Sequence, residues 1–185
     1  VISSGFQSAG QRCSALRVLF LQEDIADNVI TMLKGALAEL HVGNPENLRT
    51  DVGPVIDQKA LDSLNAHSDY MKTHGQLLYQ CDISDEITNE IADNEHFFFA
   101  PRLYEIENSN ALKQEVFGPC VHIVRFKGDE IEKVIDDING TGFGLTMGIH
   151  TRIEQRAIKL AKLSRAGNVY INRNMIGAIV GVQPF

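Results

Sequence analysis

Ser8-Ala-Gly-Gln-Arg-Cys-Ser-Ala-Leu-Arg17 runs directly into the apolar Val18-Leu-Phe-Leu21. A polar, glycine-containing loop therefore delivers a cysteine, Cys13, to the start of an apolar run over residues 15–21 that reads as a buried strand. A thiol at a strand edge can face a cleft while the strand holds its backbone still. With a pKa of roughly 8.5, a free thiol is only slightly ionised at neutral pH and needs help to become a nucleophile. Arg12, adjacent and cationic, would supply that help if its side chain turned toward the sulfur. From these residues alone Cys13 has two readings, an activated nucleophile or a small buried hydrophobe.

Outward from this stretch, strand-like and helix-like segments alternate. Asp24 offers an N-cap, with Asp27 in the first turn. Ile25, Val29, Met32, Leu33, Ala36, Leu37 and Leu40 then recur at helical spacing until Gly43-Asn-Pro45 stops the helix. A second helix covers residues 57–74, with Gly75 placed for a left-handed C-cap. Residues 76–80 and 98–106 read as strands flanking an acidic, aperiodic stretch, 82–95. That stretch reads as an exposed excursion, without the ligand pattern of a calcium loop. A short helical turn, 109–114, precedes Glu115. Strands at 121–126, 145–150 and 169–172 alternate with helices at 129–138 and 152–164, the last with Ile153, Ala157, Leu160, Ala161 and Leu163 facing inward. The alternation predicts an α/β domain over residues 1–185, a largely parallel sheet flanked by helices. Gly140-Thr-Gly-Phe-Gly144 follows a helix and precedes a strand. A phosphate-binding glycine loop has the reverse order, so these glycines read as a connection.

Composition narrows the function classes. With 185 residues, 44% of them hydrophobic and 22% charged, the chain suits a globular domain with a substantial core. A net charge of −7 without a basic cluster gives nucleic-acid binding no electrostatic support. No apolar run approaches the roughly 20 residues of a membrane span, and no signal peptide opens the sequence. Three cysteines at wide spacing argue against a disulfide framework and for a reducing compartment, the cytoplasm. Cys81 and Cys120 read as structural. The six histidines lack ligand spacing, so no metal site is expected. Asn172 and Arg173 read as shaping a turn. Both ends fall inside patterned sequence, which is expected of a piece of a longer polypeptide.

Phe6-Gln-Ser-Ala-Gly-Gln-Arg-Cys-Ser-Ala15 resembles the nucleophile segment of the aldehyde dehydrogenase superfamily, G-Q-x-C beside a phenylalanine. Glu115-Val-Phe-Gly-Pro119 resembles its E-[IV]-F-G-P cofactor motif. Gly167-Asn-Val-Tyr-Ile-Asn-Arg173 with Gly177-Ala-Ile-Val-Gly-Val-Gln-Pro-Phe185 resembles the late substrate loop of the branch that oxidises L-glutamate γ-semialdehyde, the open form of Δ1-pyrroline-5-carboxylate. Three blocks in the family's order make the likeness specific over the whole chain.

The resemblance implies the aldehyde-dehydrogenase-like catalytic domain and NAD as cofactor. It makes Cys13 the nucleophile, with its own N–H in the oxyanion hole. Glu115 would accept the hydroxyls of the cofactor ribose, with Phe117 packed nearby. Ser14, Gly177 and Ala178 would hold the α-carboxylate of an amino-acid aldehyde, and Phe185 would line its aliphatic part. Small side chains and exposed N–H groups at Gly177 and Ala178 suit a carboxylate. The general-base glutamate, the oxyanion asparagine and the NAD-binding domain would lie N-terminal to this chain, so the segment alone is not expected to turn over. A proline dehydrogenase domain carrying FAD, where present, would also lie outside, in a bifunctional proline-catabolic polypeptide that forms a homo-oligomer. Two other readings stay open: an aldehyde dehydrogenase of different substrate range, and a folded interaction or oligomerisation module with a silent thiol.

Overall fold

The computed structural model of the chain describes residues 1–83, 97–178 and 181–182, so most of the acidic stretch and Phe185 lie outside the described residues. In chain order the elements are α1 (Ile2–Phe6), β1 (Val18–Gln22), α2 (Glu23–Ala38), α3 (Gln58–His74), β2 (Gln76–Gln80), β3 (Arg102–Glu105), β4 (Cys120–Phe126), α4 (Ile131–Gly140), β5 (Thr146–Ile149), α5 (Glu154–Leu163) and β6 (Asn168–Ile171). The main sheet has the order β1-β4-β3-β2. β4 runs parallel to both β1 and β3, and β2 closes the far edge antiparallel to β3. β5 and β6 form a separate parallel pair. The expected α/β architecture is present, with the strands divided between two sheets.

β4 sits inside the sheet, and Cys120 to Val124 are buried in succession, as a strand covered on both faces requires. β1 is an edge strand. Val18, Leu19 and Phe20 are therefore only half-buried, against the expectation of a buried strand, and the strand starts at Val18 rather than residue 15. Arg125 at the end of β4 holds Glu105 of β3 through two of its nitrogens and Asp27 of α2 through the third.

Six local expectations are corrected. α2 begins at Glu23, with Gln22 rather than Asp24 at its cap; the Gln22 amide instead donates to Asp24. Its core face is Ala26, Ile30, Leu33 and Leu37, whereas Ile25 and Met32 are exposed. Gly75 is extended rather than left-handed, because the chain passes straight from α3 into β2. It is tightly placed, and a Cβ there would lie 3.1 Å from Glu105 O and from Met71 Sδ. The strand expected over 98–106 shortens to β3, since Pro101 has no N–H for the ladder. The turn at 109–114 contracts to Ser109–Ala111, and Ile153, just before α5, and Leu163 at its end are exposed while Ala157 and Leu160 are buried.

Other features follow the pattern read from sequence. Asp57 caps α3 by accepting from the Ala60 N–H. Gly140 to Gly144 connects α4 to β5. Two apolar cores result among the described residues. The larger lies between the main sheet and α1, α2 and α3; the smaller comprises Ile135, Met147, Ile149, Ala157 and Leu160 under α4 and α5.

Candidate active site

The loop before β1 takes a strained course. Ser8, Ala9 and Gly10 are consecutively left-handed, with φ of 56°, 52° and 64°. A non-glycine residue held there costs on the order of 1–2 kcal/mol. Gly10 is required for a second reason: a Cβ on it would lie 2.2 Å from the Gly118 carbonyl oxygen. Gly118 is wedged in turn, with a Cβ there meeting the Leu64 methyl groups at 2.5 and 2.6 Å. The thiol loop and the Glu115-to-Pro119 turn thus meet backbone on backbone.

Arg17 fastens this seam. Its Nη1 donates to Gly10 O at 2.6 Å and Gly118 O at 3.4 Å, and its Nη2 donates to Arg12 O at 3.1 Å. Nε donates to Glu115 Oε1 at 3.2 Å, and the guanidinium lies 4.8 Å from the centre of the Phe117 ring. The side chain is 15% exposed and its carboxylate partner 37%. Burial lowers the Arg17 pKa; Glu115, and behind it Cys120 and Cys13, push it back up. Sequence reading passed over Arg17, and its place four residues after the cysteine was the only signal it offered.

Cys13 is exposed, in the turn before β1 rather than at the strand edge. Arg12 does not turn to the sulfur: its Nε donates to Ser8 Oγ at 3.1 Å. Among the described residues no hydrogen bond engages the Cys13 N–H. A cavity of about 1330 Å³ opens beside β1, bounded by α4 and β5, and Cys13, Glu115, Phe117 and Met175 all line it. Ser14 is buried and is not among the lining residues; its carbonyl accepts from Thr146 Oγ1 at 3.3 Å. Gly177 has φ of +99° with open space where a Cβ would stand, and Ala178 is half-buried. Asn172, left-handed with φ of 55°, pins the preceding turn by exchanging side-chain bonds with the Thr151 backbone. Phe185 lies outside the described residues.

The other thiols are unreactive by environment. Burial pushes Cys120 up to about 12 and Cys81 up to about 11, so neither supplies thiolate near neutrality. Two histidines 55 positions apart in sequence meet beneath the site, His67 Nε2 lying 2.8 Å from His122 Nε2. His122 Nδ1 lies 3.1 Å from Arg17 O, which can only accept. The Nδ1 proton is therefore on His122, and its Nε2 accepts from His67. Burial, reinforced by Arg102, lowers His67 to about 4; burial, reinforced by His67, lowers His122 to about 3. A pairing at such separation has no local signature in sequence.

The aldehyde dehydrogenase family model matches residues 1–185. The chain belongs to the aldehyde dehydrogenase family. Among curated aldehyde dehydrogenase relatives, the bifunctional protein PutA of Klebsiella aerogenes is 47% identical, and that of Escherichia coli K12 is 45% identical. Each match covers the whole of this chain and 14% of the relative. The 1-pyrroline-5-carboxylate dehydrogenase of Geobacillus sp. is 32% identical, and the chain covers 34% of it. Among solved structures, a proline utilization A variant from Bradyrhizobium japonicum superposes with a TM-score of 0.90 at 46% identity, the chain covering 18% of it. A 1-pyrroline-5-carboxylate dehydrogenase from Thermus with bound NAD superposes at 0.85 and 27% identity, over 34% of its length. The chain thus spans about a seventh of the bifunctional relatives and a third of the shorter ones.

Proposed function

We propose that this chain is the thiol-bearing part of an NAD-dependent aldehyde dehydrogenase that oxidises L-glutamate γ-semialdehyde to L-glutamate, working within a longer, cytoplasmic, homo-oligomeric polypeptide of proline catabolism. The observation that carries the reading is that Cys13 is exposed in the same cavity as Glu115 and Phe117. The printed functions of the relatives, together with the Gly177-Ala178 loop, favour the amino-acid aldehyde over a plain one.

The residues fit NAD. A half-exposed carboxylate, Glu115, and a 42% exposed ring, Phe117, offer an acceptor for ribose hydroxyls beside an apolar edge. When bound, NAD accepts the hydride released from the substrate carbon. Cys13 forms the new bond: its thiolate adds to the aldehyde carbon, and the carbonyl oxygen gains the negative charge. The unengaged Cys13 N–H donates to that oxygen. Removing a donor of this kind typically costs about 2.7–4 kcal/mol of transition-state stabilisation. Loss of hydride leaves a thioester on Cys13. Water then cleaves the C–S bond, giving the carboxylic acid and returning the proton to sulfur. The base that activates this water is assigned to sequence outside the chain. Gly177 and Ala178 are assigned to the α-carboxylate of the substrate and Phe185 to its aliphatic part, whereas Ser14, buried and away from the cavity wall, would have to turn to reach it.

The test uses the full-length polypeptide and compares kcat/KM for NAD reduction with L-glutamate γ-semialdehyde and with an uncharged aldehyde of similar length. A preference of about a hundredfold, about 2.7 kcal/mol, is expected from a carboxylate anchor. Equal values would retain the Cys13 chemistry and remove the assignment of the Gly177 loop. Absence of turnover with either aldehyde would leave a folded module with a silent thiol.

A further inference from the structure

We propose that Arg17 is the positioning residue of this site, fixing where the Cys13 thiol stands relative to the Glu115 carboxylate. The proposal rests on the roles given above to those two residues. All three guanidinium nitrogens are engaged, and every acceptor belongs to one of two segments. Gly10 and Arg12 are in the loop that ends at Cys13; Glu115 and Gly118 bracket the cofactor turn. The bond to Arg12 O holds the residue next to the thiol itself.

The main chain of Arg17 is anchored independently. Its carbonyl accepts from the His122 backbone N–H at 2.9 Å and from the His122 ring at 3.1 Å, so β4 fixes the base of the side chain while its head spans the seam. This geometry calls for a planar fork. A lysine ammonium is a compact charge that could satisfy one side of the seam but not both, and would not stack on Phe117. An ordinary stabilising ion pair would need only Glu115. Here three backbone carbonyls share the guanidinium, and one of them, Gly10 O, belongs to the left-handed run.

The inference predicts that thiol reactivity and hydride transfer change together when the fork is lost, even though Arg17 touches neither reacting atom. In the full-length polypeptide, Arg17→Lys should alter the rate of Cys13 alkylation by iodoacetamide at least fivefold. Cys81 and Cys120, followed by peptide mass spectrometry, should stay protected and so report an intact fold. With aldehyde deuterated at the carbonyl carbon, the primary isotope effect on kcat should rise from near unity to above two, since misplacement slows hydride transfer specifically. In Arg17→Ala, millimolar guanidinium should restore part of kcat. Glu115→Gln should cost at least tenfold in kcat in the native background and less than twofold in Arg17→Lys.

An Arg17→Lys enzyme with the native isotope effect overturns the proposal, as does a full Glu115→Gln effect in both backgrounds. If Arg17→Lys exposes Cys81 and Cys120, Glu115→Gln carries the test, because it alters only a half-exposed carboxylate. A shift of at least twofold in Cys13 alkylation then supports the coupling, and an unchanged rate overturns it. If the native protein reduces no NAD with any aldehyde, yet its Cys13 alkylation depends on Arg17 as stated, the proposed function fails and the coupling stands.

Discussion

Where the thiol loop meets the Glu115 turn, two backbones touch through glycines and a guanidinium holds them; where β5 and β6 meet α4 and α5, five apolar side chains close a small core. Both regions border the same cavity. The first has no room for a methyl group, and its bonds are polar and directional. The second is soft, with Ile158 and Leu163 of α5 and Ile153 just before it left in solvent and Lys159 paired to Glu132 between the helices. A side-chain core can relax around a change of volume, whereas a backbone contact cannot. The proposed chemistry belongs to the region that cannot relax, and the cavity is bounded in part by the one that can.

Gly10→Ala should break the contrast most sharply. The new methyl group would overlap the Gly118 carbonyl at 2.2 Å in a residue already at φ of 64°. A loss of about 4 kcal/mol or more is expected, read as a collapse of the thermal midpoint together with labelling of Cys81 and Cys120. A variant that melts like the native protein would mean the two turns separate freely.

A matched pair of cavity-creating changes tests the softer side. Leu103 in β3 is fully buried in the large core, and Leu160 in α5 is 5% exposed in the small one. Leu103→Ala should cost about 3–5 kcal/mol, and Leu160→Ala about 2–3 kcal/mol because its surroundings can close in. Amide exchange should rise throughout the main sheet in the first case. In the second it should rise only in α4, α5, β5 and β6. Equal, global effects would show the two cores to be one cooperative unit.

What was legible in sequence follows the same division. Alternating apolar runs placed every described strand and long helix within a few residues, because burial on a sheet or helix imposes a period. Motif text located Cys13, Glu115 and Phe117, which the fold brings to one cavity. Long-range placement was not legible. Nothing periodic announces that β1 is an edge strand, that Arg17 reaches across 98 positions to Glu115, or that His67 meets His122. Local chemistry also misled where the chain had somewhere else to go. Gly75 looked like a helix cap, yet the strand that follows pulls it extended. Arg12 looked like the partner of Cys13, yet Ser8 takes its Nε bond.

The histidine pair offers the finest probe of the seam, through pH. Both rings are neutral in the folded protein, with His67 lowered to about 4 and His122 to about 3 by burial. In the unfolded chain they protonate below about 6.5. The unfolded state therefore binds more protons across this interval, so stability is complete above pH 6.5 and declines as pH falls toward 4 and then 3. Each ring contributes at most about 1.4 kcal/mol per pH unit, and the part-exposed His67 less. His67→Gln keeps a donor for His122 Nε2 but cannot titrate, so its denaturation midpoint should fall less steeply between pH 7 and 5 than that of the native protein. Because His122 also holds Arg17 O, acid should loosen the seam first. The His122 amide, which donates to Arg17 O, should exchange faster at pH 5 in the native protein than in His67→Gln, after correction for intrinsic rates. The Asn172 amide, which donates to Ile149 O beside β5, should show no such difference. If both amides respond alike, acid acts on the whole chain, and the seam has no separate sensitivity to protons.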